Sequence, residues 1–321
     1  GARRAAVASW GQLAEEAEAT EAGRQLAEAR AKREAGLLPH ARADVRYFGA
    51  AGGAPRVTLY RDSAAWCPDC QKVWLMLEAK RIDYRVRKVS MPSYGERPRE
   101  FLDVVPGGAL PAVEIDGRLV TGSRDIMFEL ERVFRDPEMP MFPRGKPERE
   151  WAVVALEVER DFVEQFSNFL FRPTDPVAQS KSRTVDVVLG YLEQQLGRTV
   201  TGDLQNIEDA PWLLDYPHPT LVDLSLAPHV ERAVAWGLYY KGYDIRNSFP
   251  NINAWLTALE KLPYYMATRG DFYTHCLSIA SPQNAPVPDA DALPKRVRAL
   301  LSPASSRLPV QRSAEPEPWS A

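Results

Sequence analysis

The spacing of hydrophobic residues divides this chain into two parts. Residues 57–60 form a short apolar, β-prone run, and residues 82–87 alternate between apolar and polar side chains as a half-buried strand does. We interpret Arg85 and Arg87 as the solvent face of that second strand rather than as an anion site. Two more β-prone runs lie at residues 113–115 and 119–120. Three segments have apolar residues at helical spacing, at residues 73–80, 101–102 and 126–134. This predicts the order strand, helix, strand, helix, strand, strand, helix, and hence an α/β domain over residues 56–135.

Beyond residue 147 the hydrophobic residues recur only at helical spacing. Prolines concentrated in residues 136–147 mark a boundary between domains. One apolar stripe runs from Trp151 to Phe169 and another from Val185 to Leu196. Thr220-Leu221-Val222-Asp223 matches a capping box, the pattern that begins a helix. We therefore expect an all-helical domain over residues 148–280.

The two ends of the chain carry too few apolar residues to form a core of their own. Residues 1–55 are predicted to be a helical extension followed by a glycine-rich linker. The apolar anchors of that helix are Trp10, Leu13 and Leu26. The extension is either a solvated segment or an arm that docks on a partner or on the chain itself. Residues 281–321, rich in Pro, Ser and Ala, are expected to be extended or disordered unless a partner orders them.

Composition excludes several classes of protein. A net charge of −3 argues against a broad nucleic-acid-binding surface. The sequence contains no uncharged apolar run of about 18 residues, so we expect no membrane span. Three cysteines in 321 residues exclude a disulfide framework, so a reducing compartment or an organelle stroma is expected. A start at Gly1 without Met is compatible with removal of a targeting peptide or of a tag.

The candidate chemistry lies in Cys67-Pro68-Asp69-Cys70, between the strand at 57–60 and a predicted helix. A helix N-terminus carries free N–H groups and a partial positive charge, which lower the pKa of a cysteine placed there. The neighbouring Asp69 anion opposes this effect slightly. A structural disulfide and half of a zinc site are the alternatives, but zinc needs a second ligand pair and the chain offers only Cys276 and four scattered histidines. We favour a reactive thiol at Cys67.

Two further segments are candidates for binding. Leu110-Pro111 stands directly before the predicted strand at 113–115. A cis bond there would turn the Leu110 backbone outward, as an edge with which a peptide can pair. Ser123 is predicted to cap the helix that begins at this point, where its hydroxyl and the first N–H groups could hold a carboxylate.

These motifs, in this order and spacing, resemble the glutathione S-transferases. The resemblance covers about two thirds of the chain and implies a thioredoxin-like α/β N-terminal domain followed by the all-α C-terminal domain of that family. A cysteine-first site resembles the omega, lambda and dehydroascorbate-reductase classes. The two-thiol form with extensions at both ends is most similar to the iota class of photosynthetic organisms, which implies a plastid or another organelle, with the cytoplasm as the alternative.

The resemblance also implies glutathione as the cofactor. Cys67 would form a mixed disulfide with glutathione, and Cys70 would be a resolving thiol or a bystander. The binding residues implied for glutathione are Leu110, with Pro111 in the cis form, Ser123 for the γ-glutamyl carboxylate, and Arg97 for the glycyl carboxylate. No metal site is implied.

One position departs from the family pattern. Gly122 stands where the family has an acidic residue that meets the γ-glutamyl ammonium. An unpartnered ammonium would weaken glutathione binding by roughly tenfold or more, unless Asp125 or a second subunit replaces the acid.

Two functions are consistent with this pattern. The first is a glutathione-dependent thiol transferase or reductase that acts on a mixed disulfide, dehydroascorbate or an S-glutathionyl quinone adduct. The second is a non-catalytic accessory subunit, docked to a larger assembly through the terminal arms. A homodimer is compatible with either function.

Overall fold

Strand β2 (Val57–Asp62) lies at the centre of a five-stranded sheet and leads directly into the two cysteines. The other strands are β1 (Val45–Arg46), β3 (Tyr84–Val89), β4 (Ala112–Ile115) and β5 (Arg118–Thr121). Their order in the sheet is β1-β3-β2-β4-β5. β2 and β3 are parallel, and every other neighbouring pair is antiparallel. The sheet is mixed because a helix over Pro68–Ala79 connects β2 to β3, whereas a tight turn connects β4 to β5.

Three helices accompany this sheet: α3 (Pro68–Ala79), α4 (Arg99–Val104) and α5 (Ser123–Val133). α3 begins where predicted, with Pro68 in its first turn, where a missing N–H costs nothing. Every residue of α3 from Cys70 to Ala79 is buried. Even its indole N–H is satisfied, because Trp74 donates to the Tyr84 hydroxyl at 2.6 Å.

The second half of the described chain contains helices and no strand. Its α-helices are α6 (Lys146–Phe171), α7 (Pro176–Thr199), α8 (Leu221–Lys241), α9 (Ile245–Ser248), α10 (Pro250–Leu259), α11 (Pro263–Thr268) and α12 (Lys295–Leu300), and a short π-helix spans Thr274–Ser278. The buried helix α8 begins at the predicted capping box. There the Asp223 carboxylate accepts from the Thr220 N–H at 2.8 Å and from the Trp255 indole at 3.0 Å. The predicted fold class, a thioredoxin-like domain followed by an all-helical domain, is confirmed.

This computed structural model describes residues 9–49, 53–91, 96–171, 176–199, 211–278, 293 and 295–301. Within these ranges no helix has both the length and the apolar character that crossing a membrane requires.

The N-terminal extension differs from its prediction. It forms two helices, α1 (Trp10–Glu18) and α2 (Glu21–Glu34), because Thr20 caps the second one. Its predicted anchors do not anchor it: Trp10 is 88% exposed and Leu26 67%. Polar contacts of strand β1 and the residues before it hold the extension instead. Strand β1 lies within residues 1–55, the segment that the sequence predicts to be extension and linker.

Two buried arginines make these contacts. Arg46, in β1, pairs with Glu78 at 3.1 Å and donates to the Leu37 carbonyl at 2.7 Å. Arg61, in β2, donates to the Ala41 carbonyl. Residues 37–48 are therefore part of the α/β domain, although their sequence carries no strong strand pattern.

Part of the C-terminal tail is folded. Leu293 and Val297 are buried against Ala235, Tyr239 and Cys276 of the helical domain. The expectation of an extended tail fails at this point, because a few well-spaced apolar residues are enough to hold a short helix against an existing surface. The rest of the predicted tail lies outside the described residues.

Candidate functional site

The strand register brings the predicted motifs to one end of the sheet. Tyr60 pairs with Ala112, and Ala112 pairs with Thr121. The loop over residues 63–67, here called the thiol loop because it ends at Cys67, follows strand β2 directly. The Leu110–Pro111 bond directly precedes Ala112, and Ser123 follows Thr121 after one residue. Three segments that are distant in sequence therefore meet at the same end of the sheet.

The Leu110–Pro111 peptide bond is cis, as predicted. Pro111 is buried and Leu110 is half-buried. Arg97 lies against the same loop, since a Cβ added to Gly108 would come within 2.3 Å of the Arg97 guanidinium. The Nε atom of Arg97 is buried and has no hydrogen-bond partner among the described residues.

Cys67 is the N-cap of α3, and its sulfur accepts a hydrogen bond from the Cys70 N–H at 3.4 Å. The Cys70 thiol first, and then the Cys70 backbone N–H, lower the pKa of Cys67 by hydrogen bonding, and together they outweigh burial and the negative charges of Asp69 and Asp62. Cys67 therefore combines a thiol of lowered pKa with a residue that is only half-buried.

Cys70 has the opposite environment. Its exposed fraction is 1%, and burial, together with the neighbouring Cys67, raises its pKa well above the usual range. All three cysteines of the chain are free thiols in the structure. One turn of helix therefore separates a thiol suited to attack from a thiol suited to donate a hydrogen bond.

The hydrogen bond between the two thiols gives a testable pair of variants. Cys70→Ala removes the donor and should raise the pKa of Cys67, so the acidic limb of the pH–rate profile moves to higher pH. Cys70→Ser keeps a donor at the same place and should leave that limb near its wild-type position. Titration of thiolate absorbance in the ultraviolet measures both. Equal pKa values in the two variants would show that the backbone alone sets the Cys67 pKa.

The loop that presents Cys67 is held from both sides. On the sheet side, the buried Asp62 carboxylate accepts from the Trp66 N–H at 2.6 Å. On the side of the helical domain, Arg232 of α8 donates to the Trp66 carbonyl from Nε at 3.1 Å and from Nη2 at 2.7 Å. The remaining nitrogen of Arg232 donates to Gln71 at 2.7 Å. The peptide that precedes the nucleophile is thus fixed through both its N–H and its C=O group.

Arg232 is itself held by a buried network. The adjacent Glu231 lies 3.8 Å from Arg232 and accepts from His275 at 2.7 Å and from the Tyr265 hydroxyl at 3.1 Å. Burial acts to raise the pKa of Glu231, but the His275 hydrogen bond and the charge of Arg232 outweigh it and lower the value to about 2. A permanent carboxylate therefore balances the Arg232 guanidinium in the interior.

A second polar cluster lies beside helix α3. Asp69 accepts from the Ser123 hydroxyl at 3.0 Å and from the Lys72 ammonium at 2.7 Å. Lys72 also donates to Glu159 of α6, so it joins the two domains. Burial and the charge of Lys72 lower the pKa of His229 to about 3, so this imidazole is neutral at pH 7. The Ser123 side chain is thus turned toward helix α3 and does not cap α5, whose N-cap is Gly122.

Asp69, Glu159 and His229 are the one group of side chains in the described ranges that are close enough together to hold a metal ion. The Lys72 ammonium already bridges the two carboxylates. Neither Cys67 nor Cys70 belongs to this group, so the zinc alternative finds no additional ligands here.

The backbone at Gly122 explains why the expected acid is absent. Its φ of +87° lies in a region that favours glycine, and a side chain there would cost about 1–3 kcal/mol. A Cβ built at Gly122 would lie 3.6 Å from the Asp125 Oδ2 atom. The Asp125 carboxylate therefore lies in ordinary contact with the position that a Cβ atom at residue 122 would take.

Sequence patterns identified Cys67, the cis-proline loop and Ser123, but they missed Arg232, Lys72 and Glu159. Each of these three looks like an ordinary charged residue on an amphipathic helix. Their importance comes from contacts between domains, and no local spacing signals such contacts.

Comparison with known proteins agrees with this architecture. Residues 66–133 match the family model "Glutathione S-transferase, N-terminal domain", and residues 184–258 match "Glutathione S-transferase, C-terminal domain". The chain is 26% identical over 206 residues to glutathione S-transferase L3 of Arabidopsis thaliana, which is 64% of this chain and 79% of that protein. It is 29% identical over 199 residues to glutathione S-transferase DHAR2 of the same plant, which is 60% of this chain and 79% of that protein.

Among solved structures, the dehydroascorbate reductase of Chlamydomonas reinhardtii superposes with a TM-score of 0.55. Its sequence identity is 20%, and the superposition covers 69% of this chain and 96% of that chain. This likeness bears on the fold. The two family models and the plant relatives match an N-terminal and a C-terminal glutathione S-transferase domain in this chain.

Proposed function

We propose that this chain, which has the two-domain fold of the glutathione S-transferases, is a glutathione-dependent thiol transferase or reductase with Cys67 as its nucleophile. The observation that carries the proposal is the contrast between the half-exposed Cys67, whose pKa is lowered, and the buried Cys70, whose pKa is raised. The lambda-type and DHAR-type relatives support glutathione as the cofactor. The Cys-Pro-Asp-Cys motif and the terminal extensions favour the iota class among the cysteine-type classes.

The proposed reaction is two successive thiol–disulfide exchanges. The Cys67 thiolate attacks the glutathionyl sulfur of a mixed disulfide, so that a Cys67–glutathione disulfide forms and the substrate leaves as a thiolate that takes up a proton. A second glutathione thiolate then attacks the bound glutathionyl sulfur. This step releases glutathione disulfide and restores the Cys67 thiolate. Each cycle therefore consumes one free glutathione, which leaves in glutathione disulfide together with the glutathionyl group taken from the substrate.

Dehydroascorbate is the second substrate that the resemblance suggests. Its reduction to ascorbate takes two electrons and two protons, and two glutathione molecules supply both as they form glutathione disulfide. The DHAR2 relative favours this substrate over an S-glutathionyl quinone adduct. The three free thiols fit a reducing compartment, and we infer a plastid or another organelle.

Glutathione would bind at the end of the sheet where the motifs meet. We infer that the Leu110 backbone pairs with the cysteinyl part, next to the cis bond at Pro111. The N-terminal turn of α5 at Ser123 would hold the γ-glutamyl carboxylate. Arg97 would meet the glycyl carboxylate, because its guanidinium lies against the Leu110 loop and its Nε has no hydrogen-bond partner within the part of the chain that the structure describes.

Asp125 is our candidate partner for the γ-glutamyl ammonium, because its carboxylate lies beside Gly122. Asp125→Asn should weaken glutathione binding by roughly tenfold, the value of one charge-assisted hydrogen bond. Calorimetric titration with glutathione measures the affinity. The control is Asp215→Asn, an exposed aspartate in the loop before α8, which should bind glutathione as the wild type does. Equal affinity of the Asp125 variant and the wild type would remove Asp125 from the site.

One experiment tests the proposed function as a whole. The purified chain should be retained on immobilised glutathione and should reduce a glutathionylated peptide with glutathione as the electron donor. A chain that shows neither retention nor activity would overturn the proposal and would leave the fold in a non-catalytic accessory role.

A further inference from the structure

The N-terminal extension and the sheet edge enclose a groove that the thiol chemistry does not use. It consists of two adjoining cavities of about 510 Å³ and 490 Å³, which share Asp44 and Val45. The first lies between α2 and the segment that leads into β1. The second continues over β1 and β3.

The walls of this groove contain more basic than acidic side chains. Its walls include Arg33, Arg42, Arg85 and Arg87. Among the residues that the structure describes, none of these four forms a salt bridge. The two acidic residues of the walls are already engaged: Glu34 pairs with Arg30 at 2.9 Å and Asp44 pairs with Lys88 at 2.7 Å. Four arginines without a salt bridge therefore line one concave surface of a chain whose net charge is −3.

His40, in the wall of the first cavity, has a pKa below its usual value. Burial, followed by the charges of Arg33, Arg42, Lys88 and Arg61, lowers the pKa of His40. These cations reach His40 from α2, from its own loop, from β3 and from β2. The nearby Asp44 is paired with Lys88.

The spacing of the arginines indicates the shape of the ligand. Arg85 and Arg87 are both exposed and occupy alternate positions on β3, so their side chains leave the same face about 6.6 Å apart. Arg85 is directly opposite Val45 of the two-residue edge strand β1. An extended peptide with a carboxylate at every second residue has the same repeat. A single small anion would span only one of the two cavities.

We propose that this groove is a docking site for an acidic, extended segment of a partner protein. The site exists only because residues 37–48 add β1 to the sheet and bring α2 beside it. The proposal revises the interpretation of Arg85 and Arg87 as an ordinary solvent face, and it is independent of the glutathione chemistry.

A labelled deca-glutamate peptide is the probe, and fluorescence anisotropy on the full chain measures its binding. Binding should weaken as salt is raised from 50 to 300 mM, because exposed charges are screened. The double variant Arg85→Glu/Arg87→Glu should weaken binding by at least about tenfold. The control is Arg118→Glu on the opposite edge strand β5, which should bind the peptide as the wild type does.

Two further readouts decide the outcome. The bound peptide should raise the pKa of His40, measured by NMR titration, whereas binding elsewhere on the protein would leave it unchanged. The thiol-transfer rate of the double variant should equal that of the wild type, so failure here is separable from failure of the enzyme proposal. Equal losses in the double variant and the Arg118 control, or no binding at all, would overturn the proposal. Displacement of the peptide by equimolar inorganic phosphate would instead assign the groove to small anions and would also overturn it.

Discussion

Replacement of Cys67 by serine is expected to reduce thiol-transfer activity by at least about a thousandfold, the scale of loss when an enzyme loses its nucleophile. A serine hydroxyl at the N-cap still accepts the Cys70 N–H bond, so the helix and the fold should be kept. The loss therefore reports chemistry rather than stability. The rate of deglutathionylation of a model peptide, compared with the thermal midpoint of the same sample, measures both.

Cys70→Ser is the matched control for this prediction. Cys70 is buried, its pKa is raised, and glutathione itself can resolve the Cys67 mixed disulfide by exchange. We expect this variant to keep most of its activity, within about threefold of the wild type. If Cys70→Ser is as inactive as Cys67→Ser, the reaction passes through an intramolecular disulfide and Cys70 is a resolving thiol. If Cys67→Ser stays active, Cys67 is not the nucleophile.

Arg232→Ala is expected to have the second largest effect, a loss of about 3–5 kcal/mol in the free energy of unfolding. The variant would remove both hydrogen bonds to the Trp66 carbonyl and would leave the buried Glu231 without its adjacent guanidinium. Urea unfolding followed by circular dichroism measures this loss. A change below about 1 kcal/mol would contradict the proposed balance of buried charges.

Arg232→Lys separates stability from positioning. A lysine keeps a positive charge near Glu231 but cannot donate from two nitrogens to the Trp66 carbonyl. We expect this variant to fold, and we expect its Cys67 to react more slowly with glutathionylated peptide and to show an altered pH–rate profile. The control is Arg246→Lys, since Arg246 pairs with Glu260 of the helical domain and makes no contact with the thiol loop. A reactivity loss of the same size in the Arg246 control would reduce the role of Arg232 to general stability.

The sequence by itself determined the order of the elements from β2 to α5 and the start of α8. A β-prone run, a proline in the first turn and apolar residues at helical spacing placed Cys67 at the mouth of α3. The capping box at Thr220 and Asp223 placed the start of α8. All of these features depend on residues within a few positions of one another, because hydrogen-bond periods and caps are local properties of the backbone.

Local patterns failed where a contact spans the chain. The extension shows this first: hydrophobicity predicts Trp10 and Leu26 as its anchors, yet Arg46 holds it through Glu78, 32 positions away. The Pro/Ser/Ala-rich composition of the tail gave no sign that Leu293 and Val297 would find a ready apolar surface on α8.

The same limit applies to the candidate site. The tertiary structure alone brought Lys72 to Glu159, 87 positions apart, and Arg232 to the Trp66 carbonyl, 166 positions apart. A buried charge must find its partner wherever the packed domains place one, and the free energy of that pairing depends on burial rather than on sequence separation. The thiol was therefore readable from neighbouring residues, whereas the groups that hold its loop in place were fixed only when the helical domain packed against α3.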